Sequence, residues 1–214
     1  MTVSEIKSRF LLLLDAAYSQ AAPGFEDYQI SEFLDKAQKD FVDQVAKAKI
    51  YDDIYQIIEV AEATITPSSY DNRMYHFEID NYFPDFGYYV SSRVRITREN
   101  PQTYNGFINC ELINSELSHK FLTTAFNKPY FKFPKVYMVT PKNQDSKLHL
   151  ITDAYSSVYK VTNNYEITYI RIPRKVDITA GYGFQINNNV HEKLIEMAVT
   201  YAVNSLKTAK ITTQ

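Results

Sequence analysis

The sequence predicts an α+β protein, helical at both ends and β-rich between. Two observations carry this. Apolar residues recur at helical spacing before Ala63 and again after Val190, whereas between them the pattern alternates with period two. The middle also holds most of the 18 tyrosines, a residue type suited to half-buried strands. The expected organisation is a helical part over 1–62 and a β-rich region over 63–180, a small antiparallel sheet or sandwich with a short helix near 115–126. Over 181–214 a C-terminal helix packs on the N-terminal ones and ends in a polar tail.

The first helix is expected from Val3 to about Ser19. Thr2 or Ser4 caps it, Glu5 sits in its first turn, and Ile6, Phe10, Leu13, Leu14 and Ala17 form its stripe. Pro23-Gly24 breaks the chain. A second helix follows with Ile30, Phe33, Leu34, Ala37, Phe41, Val42 and Val45 on one face. Glu32, Asp35, Lys36, Lys39, Asp40 and Asp43 take the other. Such a stripe needs a partner, and the simplest is the first helix in an αα-hairpin. A third short helix is expected at Asp53–Glu62.

Strands are expected at Arg73–Phe83, Tyr88–Arg98, Tyr104–Asn114, Phe131–Val139, Lys147–Asp153, Ser157–Val161 and Tyr165–Ile172. Pro173 marks the end of the last one. Ser115–Phe126 reads as a helix capped by Ser115, with Leu117, Phe121, Leu122 and Ala125 on its face. The last helix runs from near Val190 to about Lys207, with Asn189 as cap and Val190, Leu194, Ile195, Ala198, Ala202 and Leu206 as its stripe.

Composition narrows the function. The formal charge is −2, so no basic field advertises nucleic acid or an anionic membrane. With 5 glycines and none of the glycine-rich phosphate motifs, nucleotide cradling is not expected. Zincin and nucleophile-elbow motifs are also missing. The single cysteine, Cys110, forms no internal disulfide and fits a reducing compartment. Lys7 and Arg9 before the apolar run Phe10–Leu14 loosely imitate a signal peptide, but Asp15 ends that run too early. No run approaches the roughly twenty apolar residues of a membrane span.

Individual candidates read as structural. His76, Glu78 and Asp80 share a strand face and could hold a metal, but a solvated strand face explains them. His119 and Cys110 lack the orienting group of a Cys/His nucleophile. His191 reads as a surface residue of the cap region beside the start of the last helix. Arg93 and Arg95 share one strand face, and Arg171, Arg174 and Lys175 form a second basic group. Nearby aromatics allow single-strand stacking, but interspersed acids favour a salt-bridged protein interface. No catalytic residue, cofactor or metal is expected.

Two phrases carry a resemblance. "FLDKAQKDFV" (Phe33–Val42) is similar to the N-terminal "FLNKAQ-x-x-[FY]" phrase of virion proteins of crAss-like bacteriophages. "IPRKVDI" (Ile172–Ile178) followed by "VHEKLIEMAVTYAV" (Val190–Val203) is similar to their C-terminal pattern. The order helical hairpin, β-rich middle, C-terminal helix resembles the head-to-tail ring, or adaptor, proteins of short-tailed phages. Asp35 departs from the expected Asn, and on the polar face that exchange is expected to matter little. The resemblance implies a non-enzymatic part of the portal–tail region of a virion, assembled in the bacterial cytoplasm. It implies a dodecameric ring of identical copies in contact with a portal protein and with neighbouring ring or tail proteins. Genomic DNA passes non-specifically through its channel, and no membrane is involved. Another tail, collar or cargo component of the virion, or a soluble bacterial binding module with an unrecognised site, is the alternative. The scaffold stripe is Ile30, Phe33, Leu34, Ala37, Phe41, Leu194, Ile195, Ala198 and Ala202; the expected interface residues are Arg93, Arg95, Arg171 and Arg174.

Overall fold

A computed structural model describes residues 1–17, 24–98, 105–123, 130–140, 145–154 and 159–212. Ser19, Pro23, Tyr104, Ala125, Phe126 and Ser157, given places above, lie outside these. The protein is α+β, as expected. Its helices are α1 (Val3–Ala17), α2 (Asp27–Ala48), α3 (Ile79–Tyr82), α4 (Ser115–Thr123) and α5 (His191–Thr212). Its strands are β1 (Ile58–Thr64), β2 (Thr66–Pro67), β3 (Met74–Glu78), β4 (Phe86–Arg98), β5 (Asn105–Asn109), β6 (Glu111–Leu112), β7 (Lys135–Val139), β8 (Lys147–Ile151) and β9 (Tyr159–Arg171).

The chain forms two compact units, Met1–Ile58 with Ile172–Gln214, and Glu59–Arg171. The β-rich unit thus opens four residues before the expected 63, and the helical unit reclaims Ile172–Ala180, which the sequence assigns to the β-rich part.

In the helical unit, α1 and α2 each pack chiefly on α5. The expected αα-hairpin is replaced by a layer centred on the C-terminal helix, because α5 offers buried apolar positions to both neighbours. Ile6, Phe10 and Leu14 of α1, Ile30, Leu34 and Ala37 of α2, and Ile195, Ala198 and Ala202 of α5 close one core. Burying each large side chain there contributes about 1.5–3 kcal/mol. Phe41 and Leu194 are buried as well; Phe33 is half-buried and meets Phe25 edge-on, with centroids 5.3 Å apart. Ala17, expected inside, is exposed at the end of α1. Thr2 caps α1: its Oγ1 accepts the Glu5 N–H at 3.3 Å, and Glu5 Oε2 accepts the Thr2 N–H at 2.7 Å.

The expected third helix shrinks to one 3₁₀ turn, Tyr55–Ile57, and Ile58–Glu62 becomes strand β1. Val60 and Ala61 tolerate both conformations, and pairing beside β9 decides between them. The first expected strand ends at Glu78, where α3 turns the chain. The two strands expected at 157–172 are one, β9. The turn before α5 is capped by Asn187, whose side chain accepts the Asn189 N–H, in place of Asn189 itself. Asn114, not Ser115, receives the Glu116 N–H at the start of α4.

The β-rich unit is a sandwich. One sheet has the order β1-β9-β4-β5, the other β2-β3-β8-β7-β6. β2 with β3, β3 with β8, β8 with β7, β4 with β5 and β4 with β9 pair antiparallel, and β6 runs parallel to β7. Alternate residues point inward: Val94 and Ile96 from β4, Tyr165 and Ile167 from β9, Phe77 from β3, Val136 from β7, Leu148 and Leu150 from β8. β4 and β9 slip register between Val94 and Ile96, where β9 advances from Tyr165 to Val161.

Candidate functional site

On α2, Ser31, Asp35 and Gln38 recur on one helical face, and all three are buried. They hold an irregular segment that has no strand partner on that side. Ser31 Oγ accepts the Ile178 N–H at 3.0 Å and Asp35 Oδ1 the Val176 N–H at 3.3 Å. Gln38 donates to the Arg174 carbonyl at 3.1 Å and accepts the Gln185 N–H at 2.8 Å. Backbone groups that turn away from water in this partly buried segment need partners, and here the side chains of a helix supply them. Asp35 is therefore not on the solvent face as expected. Its 6% exposure reflects this polar row, with Lys39 Nζ on its other oxygen at 2.7 Å. A further bond, Tyr201 to Asp40 at 2.8 Å, ties α5 to α2.

The held segment ends in a tight hairpin. Asp177 and Tyr182 exchange both backbone hydrogen bonds, and Gly181 takes φ +76°, which glycine adopts without strain. The hairpin lays Tyr182 against Arg174, whose guanidinium carbon is 3.8 Å from the ring centroid. Both are exposed.

In the β-rich unit, Arg93 and Arg95 emerge on the outer face of the four-stranded sheet. Arg95 is the register partner of Phe107 and Arg93 that of Asn109. The Phe107 ring takes both guanidiniums, at 4.7 and 5.9 Å. Arg93 pairs with Glu166 at 2.6 Å, which raises its already high pKa, and Arg95 donates to Asn105 at 3.0 Å. Beside them Val60, Ser91, Asn109 and Thr168 border a cleft of about 370 Å³. Hydroxyls, an amide and a paired guanidinium make this a hydrogen-bonding surface with little net charge.

The structure brings Arg93 and Arg95 together, whereas Arg171 and Arg174 fall in different units. Arg171 lies on β9 with Glu59 at 3.1 Å, and Arg174 belongs to the helical unit. Tyr169, next to that pair, donates between Glu59 and Asp85, and burial together with the carboxylates pushes its pKa up. The strand trio is dispersed as well: Asp80 accepts the Ser146 N–H from α3, and Glu78 pairs with Lys147. Cys110 is partly buried against the sandwich core, and burial pushes its thiol up to about 12. His119 is exposed on α4. Among the described residues no group of three or more His, Cys, Asp or Glu is placed to hold a metal. No described helix is long and apolar enough to cross a membrane.

Sequence reasoning missed the row Ser31, Asp35, Gln38. Its signal was available: small or amide-bearing polar residues spaced four and three apart beside an apolar stripe.

No protein-family model matches the chain, and no curated protein matches it.

Proposed function

We propose that the chain is a non-enzymatic virion protein of a short-tailed, crAss-like bacteriophage, a head-to-tail ring component between portal and tail. One observation supports this above the others. The two phrases that carry the resemblance interlock: the "FLDKAQ" helix grips the "IPRKVDI" segment through Asp35 and Gln38 and packs on the "VHEKLIEMAV" helix. Phrases from opposite ends of a chain that build one core behave as a scaffold signature.

In this reading the helical unit makes the head-to-tail contacts of a closed ring, which must be heterologous. The Arg93–Phe107–Arg95 face reaches neighbouring virion proteins. A charge of −2 suits a channel through which DNA slides without being held. Light scattering and particle imaging of the chain, alone and with portal and adjacent tail proteins, test it. A ring or a portal-bound assembly is expected; a compact monomer that enters no assembly sinks the idea. The same experiment, run with a tail or collar protein in place of the portal, separates a neighbouring position in the virion.

The cleft at Ser91, Asn109 and Thr168 favours a second reading, a binding module for a polar ligand. Saturable binding of such a ligand by a monomer would support it.

A further inference from the structure

The geometry points to a transition-metal site formed by His76 and His149 on the outer face of the five-stranded sheet. The two residues are direct register partners on the antiparallel strands β3 and β8. Their ring centroids are 6.0 Å apart with planes tilted by 33°. Two imidazoles that share one ion, each nitrogen about 2 Å from it, keep their ring centres about 4.5–6.5 Å apart. The pair sits within that span without movement of the strands.

The surroundings favour ligation over a chance pairing. Tyr137, partner of His149 on β7, stacks on the His149 ring at 4.9 Å and 10°, which fixes its orientation. His149 Nδ1 is buried and finds no hydrogen-bond partner among the described residues. An orphaned buried nitrogen is costly, and a metal–nitrogen bond removes that cost. Lys147 is the like charge on this face, and Glu78 pairs with it at 3.3 Å.

Two imidazoles and solvent select borderline divalent ions, Cu²⁺, Ni²⁺ or Zn²⁺, over Mg²⁺ and Ca²⁺. The site is independent of the ring reading: a protein of either function would carry it.

The test uses the full, tag-free chain titrated calorimetrically with NiCl₂ and CuCl₂ at pH 7.5. One equivalent is expected to bind, reversed by EDTA and unmoved by MgCl₂. His76→Gln and His149→Gln each weaken binding at least tenfold, and His119→Gln leaves it unchanged. A measurement on the unaltered chain guards against variants that fold poorly. The sequence has 4 histidines, so their ring C–H proton resonances separate. Substoichiometric Cu²⁺ broadens those of His76 and His149 before those of His119 and His191. Absence of stoichiometric binding, broadening that begins at His119, or full affinity in both variants overturns the site.

Discussion

Gln38 of α2 accepts the backbone N–H of Gln185 at 2.8 Å, and the Gln185 side chain accepts the N–H of Arg174 at 2.6 Å. Gln38 also donates to the Arg174 carbonyl, so two glutamines close the base of the hairpin. Gln38 itself is 0% exposed. Gln38→Ala removes the partner of the Arg174 carbonyl and of the Gln185 amide, two part-buried hydrogen bonds each worth about 1–2 kcal/mol. We expect roughly 2–4 kcal/mol of destabilisation in urea unfolding and faster proteolysis within residues 174–185. A loss below about 0.5 kcal/mol would mean that water serves the segment equally well.

Asp35 supplies a sharper comparison on the same row. Asp35→Asn keeps the acceptor for Val176 and loses only the charge facing Lys39, a pair that is half in solvent. It should cost under about 1 kcal/mol. Asp35→Ala removes the acceptor and should cost about 1–3 kcal/mol. Equal losses in the two variants, read from thermal melts, would refute the assignment.

The apolar stripes of α1, α2 and α5 were legible because helical spacing survives any partner choice. Which helix lies in the centre was not, since a stripe states that it is buried and not against what. The row on α2 escaped because Asp35 resembles a surface acid until its backbone partner, 141 positions away, is known. The segment 58–62 carries a helical pattern yet forms β1, because this edge strand pairs with β9, a partner remote in sequence. Of the expected interface, the pair Arg93 and Arg95 was readable from strand alternation alone. Arg171 and Arg174, three positions apart in sequence, fall in different units.

His191 couples stability to pH. It is 3% exposed, not at the surface as expected, and its Nε2 lies 3.1 Å from the Ile186 carbonyl, so the neutral ring donates there. Its Nδ1 is buried without a partner among the described residues, and protonation would add a hydrogen that none of them accepts. Burial accordingly lowers its pKa below the ordinary 6.5. A depressed histidine makes the unfolded state the better proton binder. Its contribution is fully present above about pH 6.5 and is lost as pH falls toward the folded pKa. Stability should fall between pH 7 and 5, and His191→Gln should flatten that slope. His149 adds to the same trend, so the double variant with His149→Gln should flatten it further.

Tyr165 has its hydroxyl fully buried in the sandwich, with no hydrogen bond of good geometry among the described residues. Tyr165→Phe removes an unsatisfied group at constant shape, so stability should stay level or rise by up to about 1 kcal/mol. Tyr165→Ala opens a cavity and should cost about 3–5 kcal/mol. A loss above 1 kcal/mol for the phenylalanine would reveal a partner for the hydroxyl.

The sandwich also silences Cys110. With its thiol raised to about 12 by burial, little thiolate exists at pH 8. Labelling by a thiol-specific disulfide reagent should run at least about a hundredfold slower than for an unstructured cysteine. It should reach the ordinary rate in denaturant. Rapid labelling of the native chain would mean that β4 and β5 separate readily.

The outer sheet face separates folding from assembly. Arg95 lies on the solvent side of β4 and bonds only a side-chain amide and the Phe107 ring among the contacts described above. Arg95→Glu should therefore leave unfolding within about 0.5 kcal/mol of the parent. Phe41→Asp, by contrast, buries a charge in the helical core and should prevent folding altogether. If the Arg93–Phe107–Arg95 face meets a neighbouring virion protein, Arg95→Glu blocks that assembly while the chain stays folded, because a reversed charge at an interface repels the partner that the guanidinium attracts. Assembly on portal and tail proteins measured by light scattering decides this. Unimpaired assembly of both Arg95→Glu and Arg93→Glu would remove the sheet face from the contact and leave the helical unit to carry it.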